Sequence, residues 1–178
     1  MIGVNQQNMN GTNRGLVLKS IMMKSPISRV ELSRMTGLSK MTVSGLVNDY
    51  VEKGIVWECG ESDSTGGRRR TFLDVVPDSL LTLGIYIGRD ILNVGVIDLK
   101  GKILQSESLV LSIVENNEMF IQNLFLLCDR LIDTKYRDKI WGIGVSCAGP
   151  LLARDGVILN PPDFNNIRDL PIATILTE

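Results

Sequence analysis

Residues 28–54 read SRVELSRMTGLSKMTVSGLVNDYVEKG and contain two candidate helices separated by a glycine. Ser28 can cap a helix over residues 29–35, and Glu31 stands three positions later, as a capping box requires. Thr36-Gly37-Leu38 predicts a sharp turn, because glycine tolerates a left-handed backbone. Ser39 can then cap a second helix, which Gly54 would end. The order predicts a helix-turn-helix.

The second helix has two chemically different sides. Its apolar residues recur at helical spacing and predict one buried stripe: Val43, Leu46, Val47, Tyr50 and Val51. The opposite side carries one cation and short residues: Lys40, Met41, Thr42, Ser44, Gly45 and Asn48. A helix that enters a DNA major groove needs such hydrogen-bonding side chains near its N-terminus.

The next segment, IVWECGESDSTGGRRRTFL (residues 55–73), predicts a hairpin with a glycine-rich, basic tip. Alone, three arginines are typical of a solvated surface hairpin. Attached to the helix pair, they favour a wing that binds phosphates or a narrow minor groove. The predicted DNA-binding residues are Ser39, Lys40, Thr42, Ser44, Asn48, Arg68, Arg69 and Arg70.

Composition excludes several classes of protein. The chain has 178 residues, three cysteines and no histidine. These residues cannot form a disulfide framework, a zinc site, or a Ser-His or Cys-His nucleophile. We therefore predict free thiols, no metal and no cofactor. No apolar run of membrane-spanning length and no secretory signal are present, and we expect a cytoplasmic protein.

Charge and pattern divide the chain into two parts. Residues 1–76 hold ten basic and seven acidic residues, whereas the remainder holds nine and thirteen. The basic excess on the first part agrees with a DNA-facing domain. Residues 77–79 (Pro-Asp-Ser) follow the second strand of the hairpin and precede a change in the sequence pattern. We therefore predict domains at residues 1–76 and 77–178.

The remaining elements complete both predicted domains. A first helix is expected to begin near Thr12 or Asn13 and to end at Ser25, with Leu18, Ile21 and Met22 facing inward. Beyond residue 80, strands are predicted at 83–87, 93–98 and 103–111, with a turn at 99–101. A helix at 117–133 and a buried strand at 140–148 would follow. This β-β-β-α-β order indicates an α/β layer.

Several segments, in sequence order, resemble the ROK family of bacterial sugar-responsive repressors and sugar kinases. They are ISRVEL (27–32), TGLSK (36–40), TVS (42–44), GGRR (66–69), GIGVSCAGP (142–150) and NPP (160–162). The predicted winged helix points to the repressor branch. The resemblance implies an α+β winged helix-turn-helix domain followed by an incomplete first lobe of an actin-like, ribonuclease H-like fold.

The resemblance also bears on catalysis and on sugar binding. Tyr86 stands where the family's kinases have a magnesium-binding aspartate, and Arg89 replaces a glycine. A phenol is no substitute for that carboxylate, so we predict no phosphoryl transfer. The resemblance implies a sugar site with Gly149, Asn160 and Asp163, the last in place of a typical asparagine. A proline-stiffened surface loop explains residues 160–165 equally well.

Relative to the family's pattern, residue 178 precedes the catalytic aspartate segment, the histidine-containing motifs and the whole second lobe. A pocket between two lobes is not closed by one of them, so we expect an impaired effector response. The sequence is compatible both with a piece of a longer protein and with a naturally shortened one.

Three hypotheses follow. The first is a transcriptional regulator, a repressor of carbohydrate-utilisation genes, that binds double-stranded operator DNA as a dimer and responds to a sugar or sugar phosphate. The second is a ROK-type sugar kinase or a kinase-like remnant, against which Tyr86 and the missing histidine count. The third is a shortened partner of full-length relatives, whose 117–133 helix offers an apolar face.

Overall fold

The computed structural model describes residues 6–61, 71–111, 114, 116–132, 135–162 and 167–177. Contacts divide the chain into two compact units, Met1–Ser79 and Leu80–Glu178. Each unit combines helices with a β-sheet of its own.

The first unit has three helices and a small antiparallel sheet. In chain order its elements are α1 (Gln6–Lys24), β1 (Ile27–Ser28), α2 (Arg29–Thr36), α3 (Lys40–Glu52), β2 (Val56–Glu61) and β3 (Thr71–Val75). The sheet order is β1-β3-β2, with Val56 opposite Val75 and Ile27 opposite Leu73. The predicted helix pair and the two strands of the hairpin are therefore confirmed.

Helix α1 differs from its prediction. It begins by Gln6, before Thr12 and Asn13, and continues through Gly11 and Gly15. Glycine inside an exposed helix costs about 1 kcal/mol relative to alanine, which does not by itself end a helix. The predicted inner stripe is shifted as well: the buried positions are Val17, Ser20 and Ile21, whereas Leu18 and Met22 are half-buried.

The second unit is built on a four-stranded mixed sheet. Its elements are β4 (Leu81–Ile87), β5 (Ile91–Asp98), β6 (Ile103–Val110), α4 (Asn117–Ile132), β7 (Ile140–Cys147), β8 (Leu151–Leu152), β9 (Val157–Ile158) and α5 (Ile172–Ile175). The sheet order is β6-β5-β4-β7, and β7 runs parallel to β4. The predicted β-β-β-α-β order is confirmed.

One face of this sheet forms the core of the second unit. Alternate residues of β4 are buried, as are those of α4 that the helical spacing predicted: Phe120, Leu124, Leu127, Cys128 and Leu131. Burial, together with the Asp129 carboxylate, raises the pKa of the Cys128 thiol to about 11. Cys59, Cys128 and Cys147 are all free, as predicted.

The prediction that strand 140–148 is buried was wrong. Strand β7 lies at the edge of the sheet, while α4 packs on β5 and β6. Within the described residues, Trp141, Ile143 and Val145 are consequently exposed. The apolar residues of β7 predicted a strand correctly, but such a pattern carries no information on whether the strand is central or at an edge.

Two glycines with positive φ offer a direct test of the turns in the second unit. Gly101 (φ 79°) has open space around its Cα, so Gly101→Ala is expected to lose only the left-handed backbone term, about 1 kcal/mol. At Gly156 (φ 65°) an added Cβ would collide with Cβ of Ala173. We expect Gly156→Ala to lose about 1–3 kcal/mol more than Gly101→Ala in urea unfolding. Equal losses would show that the packing of Ala173 is loose.

Candidate nucleic-acid interface

The start of α2 is fixed by the predicted capping box. Ser28 has an extended backbone, and its hydroxyl accepts a hydrogen bond from N–H of Glu31 at 3.3 Å. Oε2 of Glu31 accepts in return from N–H of Ser28 at 2.9 Å. Two N–H groups that the helix leaves without partners are thereby satisfied, which defines where α2 begins.

The turn between α2 and α3 depends on Gly37. Its φ of 70° lies in the left-handed region, and its N–H donates to the carbonyl of Ser33 at 3.1 Å. The Ser33 hydroxyl donates to the carbonyl of Leu38 at 2.7 Å, across the turn. These bonds hold the chain in one path, so that α3 leaves the turn in a defined direction.

Ser39 caps α3, as predicted. Its Oγ accepts from N–H of Thr42 at 3.1 Å and lies 2.9 Å from Oγ1 of Thr42. Both hydroxyls are exposed but already share a hydrogen bond with each other. No hydrogen bond involves N–H of Lys40 or Met41 within the described residues, so these two groups face outward at the positive end of the helix.

The inward side of α3 is anchored by apolar and charged contacts. Val43, Val47 and Tyr50 are buried as predicted, whereas Leu46 is half-buried and Val51 is exposed, contrary to the predicted stripe. The stripe narrows at Val51 because that residue falls in the last turn of the helix, just before the chain leaves at Gly54. The hydroxyl of Tyr50 donates to the carbonyl of Arg14 on α1 at 2.7 Å.

A small charged cluster joins α1 to α3 beside this stripe. Asp49 forms ion pairs with Arg14 and, at 3.1 Å, with Lys53. The Lys53 hydrogen bond, followed by the Arg14 contact, lowers the pKa of Asp49, while burial raises the pKa of Tyr50. The Arg14 guanidinium also lies 5.6 Å from the centre of the Tyr50 ring. With the inward side held in this way, the opposite side of α3 must face solvent.

The outward side of α3 brings together the residues that the sequence predicted for DNA contact. Lys40, Thr42 and Asn48 are exposed, and Ser44 is half-buried. Met41 was not among the predicted contacts, yet it is 86% exposed at the start of the helix. An apolar side chain in this position can contact a thymine methyl group. The sequence placed Met41 on this side of the helix correctly, but did not identify it as a contact because it has no hydrogen-bonding group.

Arg29 is a second residue that sequence reasoning missed. Its Nη1 donates to Oε1 of Glu58 at 2.9 Å, and its Nη2 donates to Oδ1 of Asn48 at 3.2 Å. Arg29 therefore joins the first residue of α2 to α3 and β2. No local pattern could have revealed these contacts, because the partners lie 19 and 29 positions away in sequence.

The predicted wing arginines Arg68, Arg69 and Arg70 lie outside the described residues, which resume at Thr71. The two strands that flank them are present, and their register shifts between Glu58 and Gly60. Such a bulge bends a hairpin and increases its twist.

The residues implied in sugar or nucleotide binding belong to the second unit. Tyr86 is 49% exposed on β4, between Asn93 of β5 and Ser146 of β7. Gly149 and Asn160 are exposed and lie at the open end of the β8–β9 hairpin, where N–H of Leu159 donates to the carbonyl of Pro150 at 3.1 Å. Asp163 lies outside the described residues.

Two kinds of feature are absent from the described part of the chain. No group of three or more Cys, Asp or Glu side chains there could hold a metal ion. None of the helices in that part is long and apolar enough to cross a membrane.

Comparisons with known proteins place these units in context. No family model matches the chain. The xylose repressor of Bacillus subtilis is 33% identical over 172 residues, covering 93% of this chain and 43% of the repressor. The DNA-binding transcriptional repressor Mlc of Escherichia coli is 23% identical, covering 94% and 42%. The chain thus spans about two fifths of the length of the curated relatives it matches.

A solved structure shows the same fold. It is described as a ROK family transcriptional regulator, homologous to the E. coli Mlc protein, and it matches with a TM-score of 0.70 at 19% identity. The match covers 94% of this chain and 43% of that regulator. Together with the curated relatives, it agrees with the resemblance that the sequence motifs indicated: along nearly its whole length, this chain is similar to the xylose repressor and to Mlc, and it shares the fold of a ROK family transcriptional regulator.

Proposed function

We propose that the chain is a sequence-specific DNA-binding regulator, a repressor of carbohydrate-utilisation genes. The observation that carries this proposal is the two-sidedness of α3. Val43, Val47 and Tyr50 fix the helix to the unit, while its short polar residues are left to solvent. Residues 1–76 then form a winged helix-turn-helix domain, and residues 77–178 form a first lobe of the actin-like type.

In this proposal the N-terminal end of α3 enters the major groove. Lys40 forms no ion pair with a carboxylate of the described chain, and the outward N–H groups of Lys40 and Met41 can bind a backbone phosphate. Thr42, Ser44 and Asn48 follow along the exposed side and face the base edges. The three arginines of the wing bind the adjoining phosphates, which the sequence alone supports.

In a dimer, the two-fold symmetry would determine the symmetry and spacing of the DNA site. Two copies of α3 related by a two-fold axis read two half-sites about 34 Å apart, one DNA turn or a multiple of it, and therefore favour a palindromic site. Occupation of such a site blocks a promoter. We place this activity in the cytoplasm, because that is where the operators of bacterial genes lie.

The effector is proposed to be a sugar or a sugar phosphate. Relatives named for xylose and for N-acetylglucosamine support a sugar as the signal. Gly149, Asn160 and Asp163 are the proposed contacts in the second unit, and Asp163 can accept but not donate hydrogen bonds to hydroxyls. Sugar binding would change the relative placement of the two DNA-binding domains in the dimer.

Selection of bound duplexes from a pool of random DNA sequences tests directly whether the chain recognises a DNA sequence. We expect the full chain to enrich one palindromic sequence, and Ser44→Ala to change the selected base at one position of each half-site, each base contact being worth about 1–3 kcal/mol. Arg69→Ala should weaken all sequences alike and reduce the slope of log affinity against log salt by about 1. Enrichment of no sequence by the unaltered chain would contradict the proposal.

Two substitutions of Ser39, the cap of α3, distinguish an effect on stability from an effect on DNA binding. Ser39→Ala removes the acceptor for N–H of Thr42 and should lose about 1 kcal/mol of unfolding free energy. Ser39→Asp keeps an acceptor and should retain stability, but it places a carboxylate where a phosphate would approach. We expect urea unfolding of the Asp variant to match the parent, while fluorescence anisotropy shows weaker operator binding. Parent-like binding by Ser39→Asp would place the DNA elsewhere.

We further infer that the chain is no sugar kinase. At the β4 position where the resemblance implies a magnesium-binding aspartate, the chain carries Tyr86, whose phenol is not the carboxylate ligand that magnesium prefers. The purified chain, mixed with ATP, magnesium and glucose, xylose or N-acetylglucosamine, should show no sugar-dependent ADP release in a coupled assay. An active ROK glucokinase is the positive control, and sugar-dependent turnover by the chain would reverse this inference.

A further inference from the structure

The Arg29 guanidinium occupies a position between the helix proposed to read DNA and the strand that leads to the wing. One of its nitrogens donates to Glu58 on β2 at 2.9 Å, and the other donates to Asn48 on α3 at 3.2 Å. The side chain of Arg29 is 27% exposed, compared with 47% for Glu58. Arg29 is therefore the more enclosed member of the pair, held from two sides.

This contact decides which end of the Asn48 amide faces outward. A guanidinium carries only donors, so the amide must turn its oxygen, Oδ1, toward Arg29. The NH2 group of Asn48 then points away from Arg29, and it has no hydrogen-bond partner within the described residues. Asn48 itself is exposed and stands one helical turn after Ser44 on the outward side of α3.

An asparagine that is free at both ends pairs with adenine, because it accepts from N6 and donates to N7. With Oδ1 turned toward Arg29, the end of the Asn48 amide that is left for a base is the NH2 group, which can only donate. Guanine offers two acceptors, O6 and N7, at the edge it presents in the major groove, and suits a group that has two N–H donors. The other purine, adenine, would leave its N6 donor group facing no acceptor.

We infer that Arg29 is a positioning residue that makes Asn48 a donor-only contact and so directs this position of α3 to guanine. The inference rests on the proposed function, because it requires α3 to face base edges. Glu58 keeps the guanidinium in place and neutralises its charge, which disfavours use of Arg29 as a phosphate contact. Arg29 thus acts on DNA sequence through Asn48 rather than by touching the base.

The test is selection from a random duplex pool with the full chain and three variants. Asn48→Ala identifies the base position that depends on this side chain. The double variant Arg29→Met, Glu58→Gln removes the guanidinium without leaving an unpaired carboxylate. Glu58→Gln alone is the matched control, because its amide oxygen can still accept from Arg29.

We expect guanine at the position identified by Asn48→Ala, both in the parent and in the Glu58→Gln control. In the double variant the amide can rotate, so discrimination against adenine there should fall about tenfold, within the range of a single base contact. Preferences at the remaining positions should stay as in the parent. A role of Arg29 in general stability alone would not move one base preference and leave the others.

Three results would overturn the inference. The parent could select adenine at this position. The double variant could keep the guanine preference and bind all sequences more weakly, with the salt slope reduced by about 1, which would make Arg29 a phosphate contact. Selection of no sequence by the parent would instead remove the proposed function, and this outcome is distinct from the other two.

The double variant can be tested only if circular dichroism shows that it folds. A second measurement uses the unaltered chain and changes the DNA instead. Replacing that guanine by 7-deazaguanine removes the N7 acceptor and leaves the rest of the base pair intact. We expect this replacement to weaken binding severalfold when it is made at the Asn48 position. Unchanged affinity, measured by anisotropy, would overturn the donor-only contact.

Discussion

The turn at Gly37 is the constraint on which the first unit depends. A residue with a side chain strains the left-handed backbone that this position adopts, at φ 70°. The Ser28–Glu31 box fixes the start of the helix before the turn, and Ser39 fixes the start of the helix after it. Because both helix ends and the turn are fixed, the direction of α3 is set by backbone geometry within about a dozen residues.

Direction alone does not decide which side of α3 faces outward. That depends on rotation about the helix axis, which Val43, Val47 and Tyr50 set by burial and Asp49 by its pairs with Arg14 and Lys53. Because the folded pKa of Asp49 is lowered, its pairing contributes stability above the unfolded pKa and loses it as pH falls through the folded value. The same contacts that hold the inside of the helix therefore leave its polar side exposed to solvent.

The sequence predicted those features that depend on neighbouring residues. The sequence predicted from local patterns the two caps, the turn glycine, the helix that begins at residue 117 and the β-β-β-α-β order of elements along the chain, and all of these appear in the structure. Two features depend on distant partners, and sequence reasoning missed or misplaced them: the exposed edge position of β7 and the link between Arg29 and Asn48. The start of α1 was also misplaced, because Gly11 and Gly15 do not end that helix. The candidate contacts on α3 could be named from sequence, but the orientation of Asn48 could not.

A DNA-binding regulator gains specificity from a low affinity for non-specific DNA as much as from good contacts with the bases of its own site. Non-specific affinity comes mainly from phosphate neutralisation, and the basic excess of residues 1–76 is small, with ten basic residues against seven acidic ones. Glu58 pairs with one of the cations beside α3, so that the net attraction of this surface for arbitrary DNA is reduced. In the regulator proposed above, discrimination then depends more on the hydrogen bonds of the polar side chains along α3, because the ratio of specific to non-specific binding separates an operator from the many competing sites of a genome.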